Sequence, residues 1–163
     1  MRWIWIDKFT EFEPQHRAVA VKNVTRAEDH LHDQFPAYPI LPTSLMIEGM
    51  AQTAGILVGQ ARQFAERVIL AKIKQARISR PALPGDQVSY EAVIEHIDTS
   101  GATTAGTVAI DGQPCGTIDL VFSHLDRESG LALGIPEHNF VFSAEFRRIL
   151  VASGLQHDGG SDS

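Results

Sequence analysis

The 163-residue chain predicts an α+β fold, with an antiparallel sheet wrapped around one long buried helix. Three observations point there. Between Asp33 and Arg62 the only formally charged residue is Glu48, so a helix-length stretch is almost wholly apolar or neutral. Downstream, segments alternate apolar and polar residues with period two, the mark of half-buried strands. Turn formers separate those segments, so the strands follow one another as a meander.

Each element follows in order. Residues 3–6, Trp-Ile-Trp-Ile, are too brief to assign. His16 to Val24 alternates and predicts a strand. Thr25 to Pro42 is polar and then Pro-rich. Pro36, Pro39 and Pro42 forbid a regular helix there and stiffen a loop. Thr43 or Ser44 is a plausible N-cap for a helix from about Leu45 to about Arg67. That helix is apolar nearly all round in its first turns and amphipathic after Gly59. Strands are predicted at Val68–Ser79, Gln87–Asp98, Thr103–Asp111 and Gly116–His124. The breakers between them are Pro81 to Asp86, Ser100-Gly101 and Asp111-Gly112, the last a hairpin signal. Asp126 to Asn139 reads as loop. Phe142, Phe146, Ile149 and Leu150 then fall on one helical face, with Ser143 near its start and Arg147 and Arg148 pointing outward. The chain therefore divides into a domain at 1–125, an extension at 126–156 whose short amphipathic helix packs on that domain, and a small polar tail at 157–163 read as disordered.

Composition narrows the function classes. Hydrophobic content of 44% and charged content of 21% suit one ordinary globular domain. A net charge of -6 argues against a nucleic-acid binder. Cys115 is the single cysteine, which excludes an internal disulfide and reads as a small apolar filler. His96, His124, His138 and His157 lack metal-ligand spacing, so no metal is expected. Asp7 and Lys8 interrupt the apolar start, and Glu48, Gln52 and two glycines interrupt the helix. Neither a signal peptide nor a membrane span is expected, and a cytoplasmic protein is the default.

Glu48 is the candidate site residue. A carboxyl in so apolar a stretch must be paired, neutralised or used. Burial favours the protonated acid, which can donate a proton to a leaving group. A buried Glu held by backbone donors is the other reading, and the residues alone leave both open.

Longer motifs add a resemblance. They are Phe35-Pro-Ala-Tyr-Pro-Ile-Leu-Pro42, Leu45-Met-Ile-Glu48-Gly-Met-Ala-Gln52, Ile73-Lys-Gln-Ala-Arg77-Ile-Ser-Arg80-Pro81 and Pro84-Gly85-Asp86. With the opening stretch Ile6 to Thr25, these resemble the small β-hydroxyacyl-acyl-carrier-protein dehydratases of fatty acid synthesis, a hotdog-fold family, over roughly residues 5–123. The resemblance implies a loop His that removes the proton beside a thioester carbonyl. It implies a carboxyl on the central helix that protonates the departing hydroxyl, and backbone N–H groups at the helix N-terminus that polarise the carbonyl. Glu48 falls on the acid position. The His position holds Gln34, which cannot act as a base at neutral pH but can orient substrate by hydrogen bonding. His32, two residues earlier, is the possible substitute base; a solvated loop histidine is the favoured reading. A family Gly is Thr43 here, where a Cβ and hydroxyl crowd the thioester. Ser44 reads as a cap rather than a nucleophile.

The resemblance places Phe35, Pro36, Tyr38, Pro42, Thr43, Ser44 and Gln52 around the substrate. Lys72, Lys74, Arg77 and Arg80 read from the residues as a solvated strand face; the resemblance makes them a contact for acyl carrier protein and its phosphopantetheine phosphate. It implies no separate cofactor and a homodimer, with a trimer of dimers or a heteromeric hotdog partner as further forms. Two rivals to the dehydratase are a catalytically silent subunit that shelters an acyl chain or pairs with an active relative, and an acyl thioesterase using the helix carboxylate to activate water.

Overall fold

The computed structural model describes residues 4–33, 37–125 and 144–155, with the backbone alone at 32–33 and 144–147. Its strands are β1 (Lys8–Glu13), β2 (Arg17–Asn23), β3 (Arg67–Ile78), β4 (Gln87–Ile97), β5 (Gly101–Ile110) and β6 (Gln113–Leu125). Its helices are α1 (Asp29–Asp33), α2 (Thr43–Ala61) and α3 (Ala144–Ala152). All strand pairs are antiparallel, in the spatial order β1-β2-β4-β5-β6-β3. The meander β4-β5-β6 forms the middle, and β3 closes one edge because the chain passes through α2 before reaching it.

Alternation decides which side of each strand is buried. On β2, Ala18 and Ala20 are fully buried; on β4, Val88, Tyr90 and Ala92; on β6, Ile118 and Leu120. These side chains share one core with Met46, Met50, Ala54, Leu57 and Val58 of α2. The small alanines leave room for a helix against the sheet. Asp111 and Gly112 both take positive φ, 51° and 76°, which is the two-residue turn that matches strand twist. Cys115 is buried and free, and burial pushes its thiol up.

Several predicted elements are corrected. The long helix begins at Thr43 and ends at Ala61, not near Arg67. Gln63 and Phe64 take positive φ, 55° and 56°, which breaks the helix, and Arg67 already belongs to β3. Pro42 is the N-cap, and neither Thr43 nor Ser44 caps by its side chain. Pro fits beside a helix start because it has no N–H to satisfy. Burial runs unbroken from Gly49 to Gly59, and the first turn is the more open one. The Thr25–Pro42 stretch contains the short helix α1, which ends before Pro36. β1 was not read from the residues. Of the predicted C-terminal face, Leu150 is buried, Ile149 is half-buried and Arg148 is exposed. The predicted loop at 126–139, the tail at 157–163, Phe142 and Ser143 lie outside the described residues; the side chains of Phe146 and Arg147 are not described. Among the described residues, no helix is long and apolar enough to cross a membrane.

Candidate active site

The site is built at the N-terminal end of α2. The backbone N–H of Leu41 donates to Ala82 O (2.8 Å), which ties the segment before the helix to the loop after β3. Pro42 then starts the helix, with Thr43 and Ser44 exposed in its first turn. The first N–H groups of any helix lack intrahelical acceptors, so this end is positive and has donors to spare.

Glu48 lies one turn further on. It is half-buried rather than enclosed. Gln52 sits one turn beyond and is only 3% exposed. The Gln52 Nε2 amide donates to Glu48 Oε1 (2.9 Å), and the backbone N–H of Trp5 donates to Gln52 Oε1 (2.7 Å). Two helix residues four apart share a face, which explains why Gln52 reaches Glu48. Among the described residues the carboxyl is therefore held by a side-chain amide and by no backbone donor. Gln52, assigned from sequence to substrate, is bonded to Glu48.

Beneath this step the Tyr90 ring packs against Gly49. An added Cβ at Gly49 would stand 2.6 Å from Tyr90 Cζ, so the close approach requires glycine. The Tyr90 hydroxyl is buried without a hydrogen-bond partner among the described residues, and burial pushes the phenol well above its ordinary range.

An open groove of about 650 Å³ adjoins the helix start. Thr43, Arg77, Ser79, Cys115 and Thr117 are among its walls. The predicted basic patch divides here. Lys74 contacts Glu95 (3.9 Å) and Arg80 pairs with Asp86 (3.3 Å). Lys72 and Arg77 are exposed and form no ion pair among the described residues. Only Arg77 of the four lines the groove.

The remaining predicted site residues scatter. Tyr38 is 56% exposed and Pro42 half-buried. Gln34, Phe35 and Pro36 lie outside the described residues, and His32 is described only as backbone in α1. His30, two residues before it, is buried, with its ring edge-on to Trp5 at 5.0 Å between centroids. Burial holds the His30 ring below its ordinary pKa, partly offset by the Glu28 carboxylate. His96 pairs with Asp98 (3.1 Å) and His124 faces Glu66 (3.3 Å). Among the described residues, no group of three or more His, Cys, Asp or Glu could hold a metal ion. Sequence reasoning missed Trp5 and gave His30 no role. An apolar Trp-Ile-Trp-Ile start signals burial, but nothing local announces a partner 47 residues away.

The FabA-like domain family matches residues 3–116. The 3-hydroxyacyl-acyl-carrier-protein dehydratase FabZ of Solibacter usitatus is 33% identical over 128 residues, covering 77% of this chain and 78% of its own. The FabZ of Bacillus pumilus is 31% identical over 122 residues, covering 74% and 85%. Among solved structures, the dehydratase heterocomplex ApeI:P from Xenorhabdus doucetiae superimposes with a TM-score of 0.69 at 15% identity, over 82% of this chain and 91% of that one. A thioesterase superfamily member of Thermus thermophilus gives 0.64 at 20% identity, over 76% and 91%. At those identities the structural likeness speaks for the hotdog fold alone.

Proposed function

The chain belongs to the FabA-like domain family, and from this premise we propose that it is a β-hydroxyacyl-acyl-carrier-protein dehydratase-like protein of fatty acid biosynthesis, with Glu48 as its acid. The observation that supports the role of Glu48 is its setting. It is half-buried near a positive helix end, with one oxygen held by Gln52. The other oxygen is left to carry a proton toward substrate.

In the reaction, solvent water takes the proton beside the thioester carbonyl, because Gln34 cannot. The electron pair forms the new double bond and the C–O bond at the β-carbon breaks. Glu48 gives its proton to the departing hydroxyl, which leaves as water. Charge developing on the carbonyl oxygen is met by N–H groups at the start of α2. Gln34 stands where the family has its base and orients substrate there. Lack of a positioned base costs about 10²–10⁴ in rate, so slow turnover is expected. The substrate thioester lies in the groove beside Thr43, and its phosphate meets Arg77. Acyl carrier protein is the partner that delivers it, and no separate cofactor is needed. The open edge of β3, where Leu70 and Ile73 are exposed, seats a second hotdog chain.

The sequence itself favours a second reading: Gln34 and Thr43 both depart from the family at one site. In it the chain is a silent subunit that binds acyl groups or joins an active relative. Mass spectrometry of a short β-hydroxyacyl-carrier-protein thioester separates the readings, with Glu48→Ala as control. Loss of one water, absent in the control, supports the dehydratase. An unchanged thioester favours the silent subunit, and release of free acid and thiol marks a thioesterase.

A further inference from the structure

We propose that the N-terminal strap Ile4–Asp7 is a positioning element for Glu48, acting through the Trp5 backbone N–H and the Gln52 amide. This rests on Glu48 being the acid.

A glutamine amide can present either its NH2 or its oxygen to a neighbour. The two orientations have opposite effects on a carboxyl group. A backbone N–H can only donate, so the Gln52 atom facing Trp5 is the oxygen, at 2.7 Å. The NH2 must then face Glu48, at 2.9 Å. With that orientation fixed, one Glu48 oxygen accepts from Gln52, and the proton of the acid form resides on the other. A flipped amide would set two acceptors against each other and turn the proton away from substrate.

The strap is itself well held. Trp5 and Ile6 are 4% and 2% exposed. The Asp7 N–H donates to Val21 O (2.7 Å), and Asn23 donates to Asp7 Oδ2 through its backbone N–H (2.7 Å) and its side-chain amide (3.0 Å). On its other side the Trp5 ring meets His30 of α1. His30 faces Glu28 (3.7 Å), and Glu28 is fixed by Lys22 (3.1 Å) and by the Thr25 N–H (2.9 Å). Sheet, α1 and strap thus converge on the Glu48–Gln52 step of α2. The link is a main-chain atom, so its residue type is free except for proline, which has no N–H.

The test uses Trp5→Pro, Trp5→Phe and Gln52→Leu in the full chain. Trp5→Pro is expected to lower kcat on a β-hydroxyacyl-carrier-protein thioester about tenfold, the worth of the one hydrogen bond that orients Gln52, with KM near that of the wild type. Trp5→Phe keeps the N–H and is expected to stay well above Trp5→Pro. The double variant with Gln52→Leu should be no slower than Gln52→Leu alone. Hydrogen exchange at the Trp5 amide gives a second readout, independent of turnover and of whether Trp5→Pro folds. Gln52→Leu removes the acceptor and should speed that exchange about tenfold or more. Wild-type kcat in Trp5→Pro, or an unchanged Trp5 amide in Gln52→Leu, overturns the proposal. If the wild type shows no turnover, the functional reading fails, while the Trp5 amide still decides whether the strap holds Gln52.

Discussion

Replacing Gly49 by Ala tests how tightly α2 is seated on the sheet. In an ordinary helix the change is favourable by about 0.8–1 kcal/mol, because Gly has the greater backbone entropy to lose. Here the new Cβ would lie 2.6 Å from Tyr90 Cζ, 2.7 Å from Cε2 and 2.8 Å from the hydroxyl oxygen. Tyr90 is fully buried on β4, so its ring has no space to swing into. Overpacking of a close-packed core costs about 1–3 kcal/mol, and contacts this short belong at the upper end. After the helix gain is subtracted, a net loss of about 1–2 kcal/mol is expected. For a chain of this length that lowers Tm by about 2–8 °C. Calorimetry or a far-ultraviolet circular dichroism melt reads it directly. Gly49 adjoins Glu48, so the same shift should lower activity more than stability alone explains. An unchanged or raised Tm would mean that the ring is not wedged under the helix, and the packing argument would fall.

Two further outcomes follow from the same geometry. His30 is held neutral by burial, so folding opposes its protonation. The unfolded chain binds the proton more readily, and this contribution to stability is full above about pH 6.5 and declines as pH falls toward the lower folded value. Melts from pH 7.5 to pH 5 should show less loss in His30→Leu than in wild type, and equal slopes would refute the assignment. Arg77→Glu should slow association of holo acyl carrier protein and weaken its salt dependence in surface plasmon resonance. Arg80→Glu is the comparison, because Arg80 is already engaged by Asp86.

The strands were legible because one face of the sheet is buried and the residues record that alternation. Asp111-Gly112 announced its hairpin because few residue pairs accept two positive φ values in succession. The bulges of β3, between Leu70 and Lys72 and between Ile73 and Gln75, were not legible. The end of α2 was overrun because Gln63 and Phe64 are not residues that signal positive φ. Glu48 stood out as a lone charge in an apolar stretch. Its actual partners did not, since the Trp5–Gln52 bond joins two distant segments through a main-chain atom. The degree of its burial was also overestimated. The helix is enclosed from Gly49 to Gly59, and Glu48 lies in the more open turn before it.

A dehydratase site that lacks the family's base, and works despite Thr43 beside it, should be restored when that base is supplied. The most direct measurement is the dehydration rate of Gln34→His on a short β-hydroxyacyl-carrier-protein thioester, with Gln34→His/Glu48→Ala beside it. The expected result is a gain of about 10²–10⁴ over wild type, the worth of a positioned base, abolished when Glu48 is also removed. No gain, or a gain indifferent to Glu48, would contradict it.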